Sequence, residues 1–415
     1  MENSLFIFKG YTSNTEKGEI FFYFTLQFQD ENIDFTEKIS FPPVNNKISP
    51  DLLKSLLDNL MLILGISYWK MYCPKIMELR TMSLANEQAQ FWNAIYTKGL
   101  GEFFYKNNID FRGLVNFPSD ENTKSSPVSF SRQDRSLLLL GGGKDSIVSG
   151  ELLKEQKKPF DTLAIGGSTV QNEVSKIMGK PPITIYRRLD NKLFELNKKG
   201  AYNGHVPISV VYAFLGLMAA IFYDYKNVIV SNEKSANYGN VKYLGQIINH
   251  QWSKSEEFEK LFKTYITSFI TPNINYSSFL RSFTETEIVQ IFSKHKKYFK
   301  AFSSCNTNFK IKSEREKNKK WCGKCAKCLF VFSQLSAFVS KDELLEIFGK
   351  NLFNDKALLS LFKELLGIKE FKPFECVGTP DEVKIALDKT YKREDFNKAP
   401  LMEFFIKNEI TRSEK

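Results

Sequence analysis

The sequence feature that most constrains the fold is the stretch LLLLGGGKDS at positions 137–146. Four consecutive leucines are typical of a strand buried on both faces of a parallel sheet, and residues 147–153 continue as a helix. The three glycines between them permit the unusual backbone angles of a tight turn. The stretch therefore predicts a strand, a glycine loop and a helix. The first N–H groups of that helix form a cradle for phosphate or pyrophosphate.

Two side chains of this loop, Lys144 and Ser146, add further hydrogen-bond donors to the predicted cradle. The loop is not of the Walker type, which has four residues between its first glycine and Gly-Lys, and then serine or threonine where Asp145 stands here. A Walker-type nucleotide hydrolase is therefore disfavoured. The alternative is a plain strand-to-helix turn, and the following Asp-Ser pair argues against it.

Length and charge bound the class of protein. A chain of 415 residues exceeds what one hydrophobic core usually supports, so two or three domains are expected. The net charge of +11 is compatible with a nucleotide, a nucleotide sugar or a nucleic acid as partner. Much of this excess is lysine spread along the chain, which is typical of a solvated surface, so a nucleic-acid partner is not favoured.

Two apolar runs bear on the location of the protein. The N-terminal run is too short for a signal peptide and has no positive region before it, which predicts a cytoplasmic protein. The longest uncharged run, 206–223, approaches the length of a membrane span, but it starts with a Val-Pro pair and leads into another apolar strand. We interpret it as a helix buried against the sheet and predict no membrane span.

The order of elements predicts an α/β protein. Two alternating runs and a third extended segment within residues 4–41 predict a hairpin with an added strand, and helical spacing follows at 52–66 and 84–105. From 137 to 230, four short apolar strands alternate with helices, which is the rhythm of a doubly wound parallel sheet. The predicted units are a small α+β N-terminal domain at 1–125, a glycine-loop domain at 132–300, a four-cysteine metal knuckle at 301–335 and a helical C-terminal region at 336–415.

Polar residues follow the ends of the predicted strands. The second strand is followed by Gly166, Gly167 and Ser168, the third by Arg187 and Arg188, and the fourth by a segment that contains Glu233 and Lys234. Because ligands of open parallel sheets bind beyond the carboxyl ends of the strands, we expect these residues to share one cleft with the glycine loop.

Two of the three histidines lie in polar segments. His205 precedes the predicted buried helix, and His250 stands in the sequence NHQWSKS. Each is equally compatible with an ordinary helix start or surface loop, but the scarcity of histidine slightly favours a functional role for both. His295, in a run of lysines, is typical of a solvated basic face.

Four of the six cysteines have the spacing of a metal site. Three form C-x2-C-x2-C at 322–328 and the fourth lies upstream, in a chain without a secretion signal, which favours a metal over disulfides. Four thiolates complete a tetrahedral shell around structural zinc, and an iron–sulfur cluster is the alternative. Cys73 and Cys376 stand alone and are predicted to be ordinary thiols. The four predicted ligands are Cys305, Cys322, Cys325 and Cys328.

The glycine loop resembles the S-G-G-x-D-S pyrophosphate loop of the ATP pyrophosphatases, with Gly141 in place of serine. Members of that class have an adenine nucleotide alpha hydrolase-like sheet, transfer AMP to a carbonyl or carboxylate oxygen and release pyrophosphate. A similar Thr-x-x-Glu-Ile element, here at 284–288, occurs late in their nucleotide domain. The resemblance implies ATP at the loop and Mg²⁺ between its pyrophosphate and Asp145. The implied ATP-binding residues are Gly141, Gly142, Gly143, Lys144, Asp145, Ser146, Gly167 and Ser168.

Over roughly residues 1–335, the chain looks closest to the ATP-dependent UDP-N-acetylmuramoyl-L-alanyl-L-glutamate epimerases of peptidoglycan synthesis. That family inverts the terminal L-glutamate of a UDP-muramoyl dipeptide while ATP becomes AMP and diphosphate. The resemblance therefore implies this small-molecule substrate. Because His205 precedes the buried helix and Glu233 follows the fourth strand, one of them is the predicted base, with Lys234 available to offset developing charge. Lys144 is a further catalytic candidate. The oligomeric state stays open. The segments that carry the resemblance are 99–105, 141–146, 203–207, 231–235, 249–255 and 322–332.

Two other functions fit the same motifs. A nucleobase- or tRNA-modifying enzyme related to 7-cyano-7-deazaguanine synthase uses the same adenylation and has a similar order of motifs. A catalytic cysteine outside the metal cluster would support it. A non-catalytic nucleotide-binding protein is the second alternative, and the intact Lys-Asp-Ser of the loop argues against it.

Overall fold

The computed structural model describes residues 4–29, 31–309, 320–369 and 371–410. Nine strands of these residues form one sheet, and two more form a separate hairpin. The strands are β1 (Leu5–Asn14), β2 (Glu19–Phe28), β3 (Glu31–Ser40), β4 (Ile76–Leu79), β5 (Ser136–Leu139), β6 (Phe160–Ile165), β7 (Pro182–Arg188), β8 (Asn227–Val230), β9 (Val241–Tyr243), β10 (Gln246–Ile248) and β11 (Asn275–Ser278).

Helices cover both faces of the large sheet. The predicted buried helix is α7, and the part of the chain after Thr379 contains two helices, the first of which is capped by Thr379. In the described residues, the α-helices are α1 (Pro50–Trp69), α2 (Asn86–Gly99), α3 (Gly101–Lys106), α4 (Lys144–Glu155), α5 (Thr169–Met178), α6 (Asn191–Lys198), α7 (Ile208–Tyr223), α8 (Glu256–Phe269), α9 (Glu285–Phe292), α10 (Ala326–Leu335), α11 (Lys341–Phe348), α12 (Leu359–Leu365), α13 (Pro380–Tyr391) and α14 (Pro400–Phe405).

The large sheet runs in the order β11-β8-β5-β6-β7-β3-β2-β1-β4. The five strands from β11 to β7 pair in parallel, which confirms the predicted doubly wound part. The N-terminal strands β1 to β3 pair antiparallel, and β3 continues the sheet by pairing antiparallel with β7 through Ile39 and Arg187. One sheet therefore crosses from the N-terminal strands into the glycine-loop region. The predicted domain boundaries stay predictions.

Each face of the parallel strands has its own hydrophobic core. Leu137 packs with α7 and α8 on one face, whereas Leu138 packs with α4, α9 and α10 on the other. This alternation confirms that the leucine-rich strand is buried on both sides. The helical C-terminal region completes the second core, because α13 contacts both α9 and α10.

One helix in the described part of the chain, α1, is long and apolar enough to cross a bilayer, and 83% of its most apolar window is buried in the fold. It begins with Ser49 as N-cap and a proline in its first turn, and its apolar residues pack on β1 and β2. The run 206–223 instead gives the shorter α7, which is buried against the sheet as predicted.

Candidate active site

The glycine loop joins the end of β5 to the start of α4. Gly142 has a φ of +84°, and a Cβ on it would lie 2.7 Å from Cγ1 of Val170, so this position requires glycine. A Cβ on Gly141 would meet nothing within 4 Å. Gly143 is the N-cap of α4 and leaves the first N–H groups of the helix without side-chain caps. The strand, loop and helix are therefore as predicted. The serine that the S-G-G-x-D-S loop has in place of Gly141 would fit at this position.

Gln171 connects the glycine loop to the end of the neighbouring strand, β6. Its Nε2 donates to the carbonyl oxygens of Leu140 at 3.0 Å and of Ile165 at 3.3 Å. It also completes a capping box with Ser168, since its Oε1 accepts the Ser168 N–H at 2.8 Å. These bonds hold Ser168 beside the glycine loop, where the sequence placed it. Sequence reasoning missed Gln171, although the Ser-x-x-Gln spacing marks a capping box.

Lys144 lies at the centre of a buried ionic cluster. Its side chain is inaccessible to solvent, and its Nζ donates to the carboxylates of Asp145 and Glu285. Burial disfavours the ammonium, but the two carboxylates outweigh it and raise the pKa of Lys144. Burial raises the pKa of Glu285 to about 7, whereas Lys144 and Lys327 hold the pKa of Asp145 below its ordinary value against the effect of burial. Asp145 keeps 24% of its side chain exposed and is the carboxylate of this cluster that a ligand can reach.

More buried charges converge on this cluster from distant segments. Lys254 and Lys327 both act on the Asp145 carboxyl, and Glu233 acts on the pKa values of Lys254 and Glu285. Lys372 Nζ is buried and has no hydrogen-bond partner in the part of the chain that the structure describes, and burial lowers its pKa to about 8. The structure thus brings Glu233 into the cleft, whereas Lys234 is exposed on its outer side near Glu287.

Both candidate histidines lie together against Glu102. The Glu102 carboxylate is bonded to His250 Nδ1 and lies 3.2 Å from His205 Nδ1, and the two imidazole centroids are 4.8 Å apart. Burial and the neighbouring His250 lower the pKa of His205 to about 3, so it is neutral at pH 7. Burial opposes the charge of His250, but Cys376 and Glu102 outweigh it and raise its pKa to about 9.

The two isolated cysteines differ. Cys73 is buried, and burial raises its pKa to about 12, as expected of an ordinary core thiol. Cys376 instead accepts a bond from Lys254 Nζ at 3.2 Å and lies 3.7 Å from His250 Nε2. These two cations outweigh burial and lower its pKa to about 5. The interpretation of Cys376 as an ordinary thiol therefore does not fit its surroundings, which no local sequence signal marks.

The four cysteines of the predicted knuckle come together beside the glycine loop. Their sulfurs all lie within 4.8 Å of one another, with 3.7 Å between Cys322 and Cys328 and 3.5 Å between Cys325 and Cys328. Four thiolates at the usual Zn–S distance lie about 3.8 Å apart, whereas the iron and sulfide atoms of a cluster would separate them further. The donor set therefore fits one ion. Two residues before Cys305, the Ser303 N–H donates to the Gly142 carbonyl at 3.2 Å, which connects this group to the loop.

Comparisons with known proteins identify the family. The model described as the MurL N-terminal domain matches residues 1–279, and that of the MurL C-terminal domain matches residues 301–415. The chain belongs to the MurL family. The C-terminal match extends the resemblance found in the sequence, which ended near residue 335, to the helical region.

Three curated relatives are each named UDP-N-acetyl-alpha-D-muramoyl-L-alanyl-L-glutamate epimerase. The protein of Xanthomonas oryzae pv. oryzae is 36% identical over 86% of this chain and 79% of its own length. Those of a Micromonospora species and of Salinispora tropica are 32% and 33% identical over 97% of this chain and 90% and 88% of their own. A solved structure described as a predicted subunit of a tRNA methyltransferase from Methanocaldococcus jannaschii has 18% identity and a TM-score of 0.26, covers 39% of this chain and 75% of its own, and carries no argument.

Proposed function

We propose that this protein is an ATP-dependent UDP-N-acetylmuramoyl-L-alanyl-L-glutamate epimerase of peptidoglycan precursor synthesis. In this reaction the terminal L-glutamate becomes D-glutamate, and ATP becomes AMP and diphosphate. The match of both MurL domains, together with relatives that carry this enzyme name over most of their length, supports the proposal most directly. The proposed location is the cytoplasm, as the sequence predicted.

Activation by ATP suits the chemistry of the α-carbon. Removing a proton beside a free carboxylate builds a second negative charge next to the first. Transfer of AMP to the carboxylate neutralises it and turns it into an electron sink, so that a modest base can take the α-proton. Return of a proton to the opposite face and hydrolysis of the acyl-adenylate then give the D-glutamate product and AMP.

The glycine loop is the proposed ATP site. The uncapped N–H groups at the start of α4 suit the pyrophosphate, with Gly167 and Ser168 beside them. The Ser304 hydroxyl, next to Gly143, is buried without a partner among the described residues and is a further donor for it. The part-exposed Asp145 carboxylate has the oxygen donors that Mg²⁺ prefers, and the ion would supply charge neutralisation there. Lys144 keeps one of its three N–H groups free of the two carboxylates it binds.

Inversion requires an acid or base on each face of the α-carbon. Glu233 lies in the cleft among the lysines, and the neutral imidazole of His205 can accept a proton. One of the two, His205 or Glu233, stays the proposed group for proton transfer on one of these faces, as the sequence named them. The exposed Lys234 has a weaker case than the part-buried Lys254 or the buried Lys327 for offsetting developing charge.

The decisive experiment supplies UDP-muramoyl-L-Ala-L-Glu, ATP and Mg²⁺ in deuterated water. The expected products are the D-Glu epimer with one deuterium at the glutamate α-carbon, AMP and diphosphate, and none of these without ATP. Mass spectrometry and chiral analysis of the released glutamate measure the deuterium content and the configuration of the product. Chromatography measures AMP and diphosphate. If neither exchange nor AMP appears with folded protein, the reaction is wrong, and adenylation of nucleobase substrates becomes the function to test.

A further inference from the structure

A chain of titratable side chains lies in the cleft and takes no part in the proposed adenylation. It runs from Cys376, in the segment before α13, through His250 to Glu102 on α3. We propose that the Cys376 thiolate is the base that removes the glutamate α-proton and that His250 and Glu102 are its positioning residues. This inference rests on the proposed function and adds a catalytic residue to it.

The contacts of Cys376 favour a thiolate. Lys254 donates directly to its sulfur, and His250 faces the sulfur with one ring nitrogen while the other is held by Glu102. Burial would raise the pKa of the thiol, and these cations reverse that effect. Cys73 differs, because its thiol donates to a carbonyl and burial outweighs the nearby Lys70, so that its pKa rises to about 12. The chain of contacts therefore keeps a basic sulfur charged at neutral pH.

Unsatisfied polar atoms beside Cys376 indicate that its surroundings form a binding site. Gln251 Nε2 donates to the carbonyl of Val377, but its Oε1 is buried and has no partner among the described residues. Lys372 Nζ is buried without a hydrogen-bond partner in the same set. Buried polar groups that serve only a structural role are almost always paired within the protein. The free Gln251 Oε1 suits the amide N–H of a dipeptide substrate. The Lys372 ammonium suits an anionic oxygen of the same substrate.

The thiolate faces the same cleft as the ATP loop. Lys327 donates to the Cys376 carbonyl, and its charge also lowers the pKa of Asp145. Lys254 binds the Cys376 sulfur and acts on Asp145 in the same way. Two lysines thus lie between the proposed base and the proposed pyrophosphate site. A carboxylate adenylated at the loop would have its α-carbon on the Cys376 side.

The proposed step is balanced without a redox partner. The Cα–H bond breaks, an S–H bond forms on Cys376, and the electron pair moves into the adenylated carboxyl group. A second group then protonates Cα from the opposite face, which returns the electron pair to carbon. The Cys376 thiol releases its proton to solvent, so each turnover exchanges one proton with water.

The test separates adenylation from proton removal. In Cys376→Ser, ATP–pyrophosphate exchange in the presence of the dipeptide substrate should stay within about twofold of wild type, whereas α-deuterium incorporation should fall about a hundredfold or more. Cys73→Ser is the matched control and should retain both, since Cys73 is a buried core thiol that donates to the Lys70 carbonyl. Normal deuterium incorporation in Cys376→Ser would overturn the inference alone, whereas wild-type enzyme without either activity would overturn the proposed function.

A second measurement follows the thiolate without turnover. Labelling of Cys376 by iodoacetamide, located by peptide mass spectrometry, should rise with a midpoint near pH 5, the pKa to which Lys254 and His250 lower the thiol. Lys254→Met and His250→Gln should each move the midpoint upward. A midpoint above pH 8 in wild type would overturn the inference. The charged groups that act on this thiol are Lys254, His250, Lys327 and Lys372.

Metal analysis excludes a competing use of the same residues. Glu102, His205 and His250 place their ligand atoms within 4.8 Å of one another, which is also compatible with a bound ion. We expect metal at the four cysteines alone, with an unchanged ratio of metal to protein in Glu102→Gln. A second equivalent of metal that Glu102→Gln removes would overturn it, because His250 would then bind metal instead of positioning the thiolate.

Discussion

Two groups of buried charges differ in how completely they are paired. At the junction of β3 and β7, Arg187 donates to both oxygens of Glu37, at 2.5 Å and 3.3 Å, and to Ser67 at 3.0 Å. Tyr68 adds a further bond to Glu37. In the cleft, by contrast, Lys144 binds two carboxylates, but Lys372 Nζ and the Ser304 hydroxyl lack partners in the described part of the chain.

This difference in pairing distinguishes a structural ion pair from a binding site. At the junction, each charged group satisfies the other, which suits a pair that fixes the register between two parts of one sheet. In the cleft, the charges shift one another in opposite directions and leave donors unused, which is typical of a site that awaits a ligand. Loss of a junction residue should therefore cost stability, and loss of a cleft residue should cost activity.

Asp145→Asn should produce the largest loss of activity. The substitution keeps the shape of the side chain but removes the charge proposed to hold Mg²⁺ at the pyrophosphate, so release of diphosphate should fall about a thousandfold or more, equal to about 4 kcal/mol in the barrier. The free energy of unfolding should fall by less than on loss of a whole buried pair, because Lys144 keeps its bond to Glu285. Diphosphate release and urea unfolding measure the two. Unchanged turnover in the folded variant would show that Asp145 has no part in the ATP site.

Glu37→Gln should reduce the stability of the fold and leave the activity of the folded protein unchanged. It leaves the buried Arg187 guanidinium without its counter-charge, and breaking a buried pair in this way costs about 3–5 kcal/mol of stability. The folded fraction should retain its turnover because the groups that act on Glu37 are Arg187 and Tyr68, which are not among the proposed ATP-binding or proton-transfer residues. Urea unfolding provides the measurement.

The control for Glu37→Gln is Glu78→Gln, which breaks an exposed pair with Arg80. Because water screens that pair, its loss should cost about 1 kcal/mol or less. Equal effects of the two substitutions would mean that burial does not distinguish the junction from the surface.

Local sequence patterns predicted the loop but only part of the cleft. The strand, glycine turn and helix at 137–146 are encoded by neighbouring residues, so periodicity and glycine content were sufficient. Glu285 lies inside the Thr-x-x-Glu-Ile element that the sequence showed at 284–288, yet its own bond to Lys144 depends on how α9 packs.

Other parts of the structure leave no local signal at all. Cys376 meets His250 across 126 positions of sequence, and Glu37 meets Arg187 across 150. The predicted boundary near residue 125 rested on composition, and composition carries no information on the pairing of β3 with β7. Partners at such distances become visible only when the sheet order is known.

Metal removal should affect the cleft more than the junction. We expect about one zinc per chain by elemental analysis and none in Cys325→Ser, because three thiolates no longer close the tetrahedral shell. The bond from Ser303 to the Gly142 carbonyl should then loosen, and affinity for ATP should fall about tenfold to a hundredfold. Calorimetry measures this affinity. Iron in place of zinc, or full ATP affinity in metal-free folded protein, would contradict the proposed structural role.

The smallest effects should separate two adjacent glycines of the loop. Gly142→Ala places a Cβ at a φ of +84° and 2.7 Å from Val170, so the loop must shift, at a cost of about 1–2 kcal/mol. Gly141→Ser places its side chain in open space and adds a hydroxyl donor, so ATP affinity should stay within about twofold of wild type or rise. Titration calorimetry with ATP compares the pair. Equal losses for both would mean that the backbone angle at Gly142 does not shape the cradle, and the cleft would then depend on its charges alone.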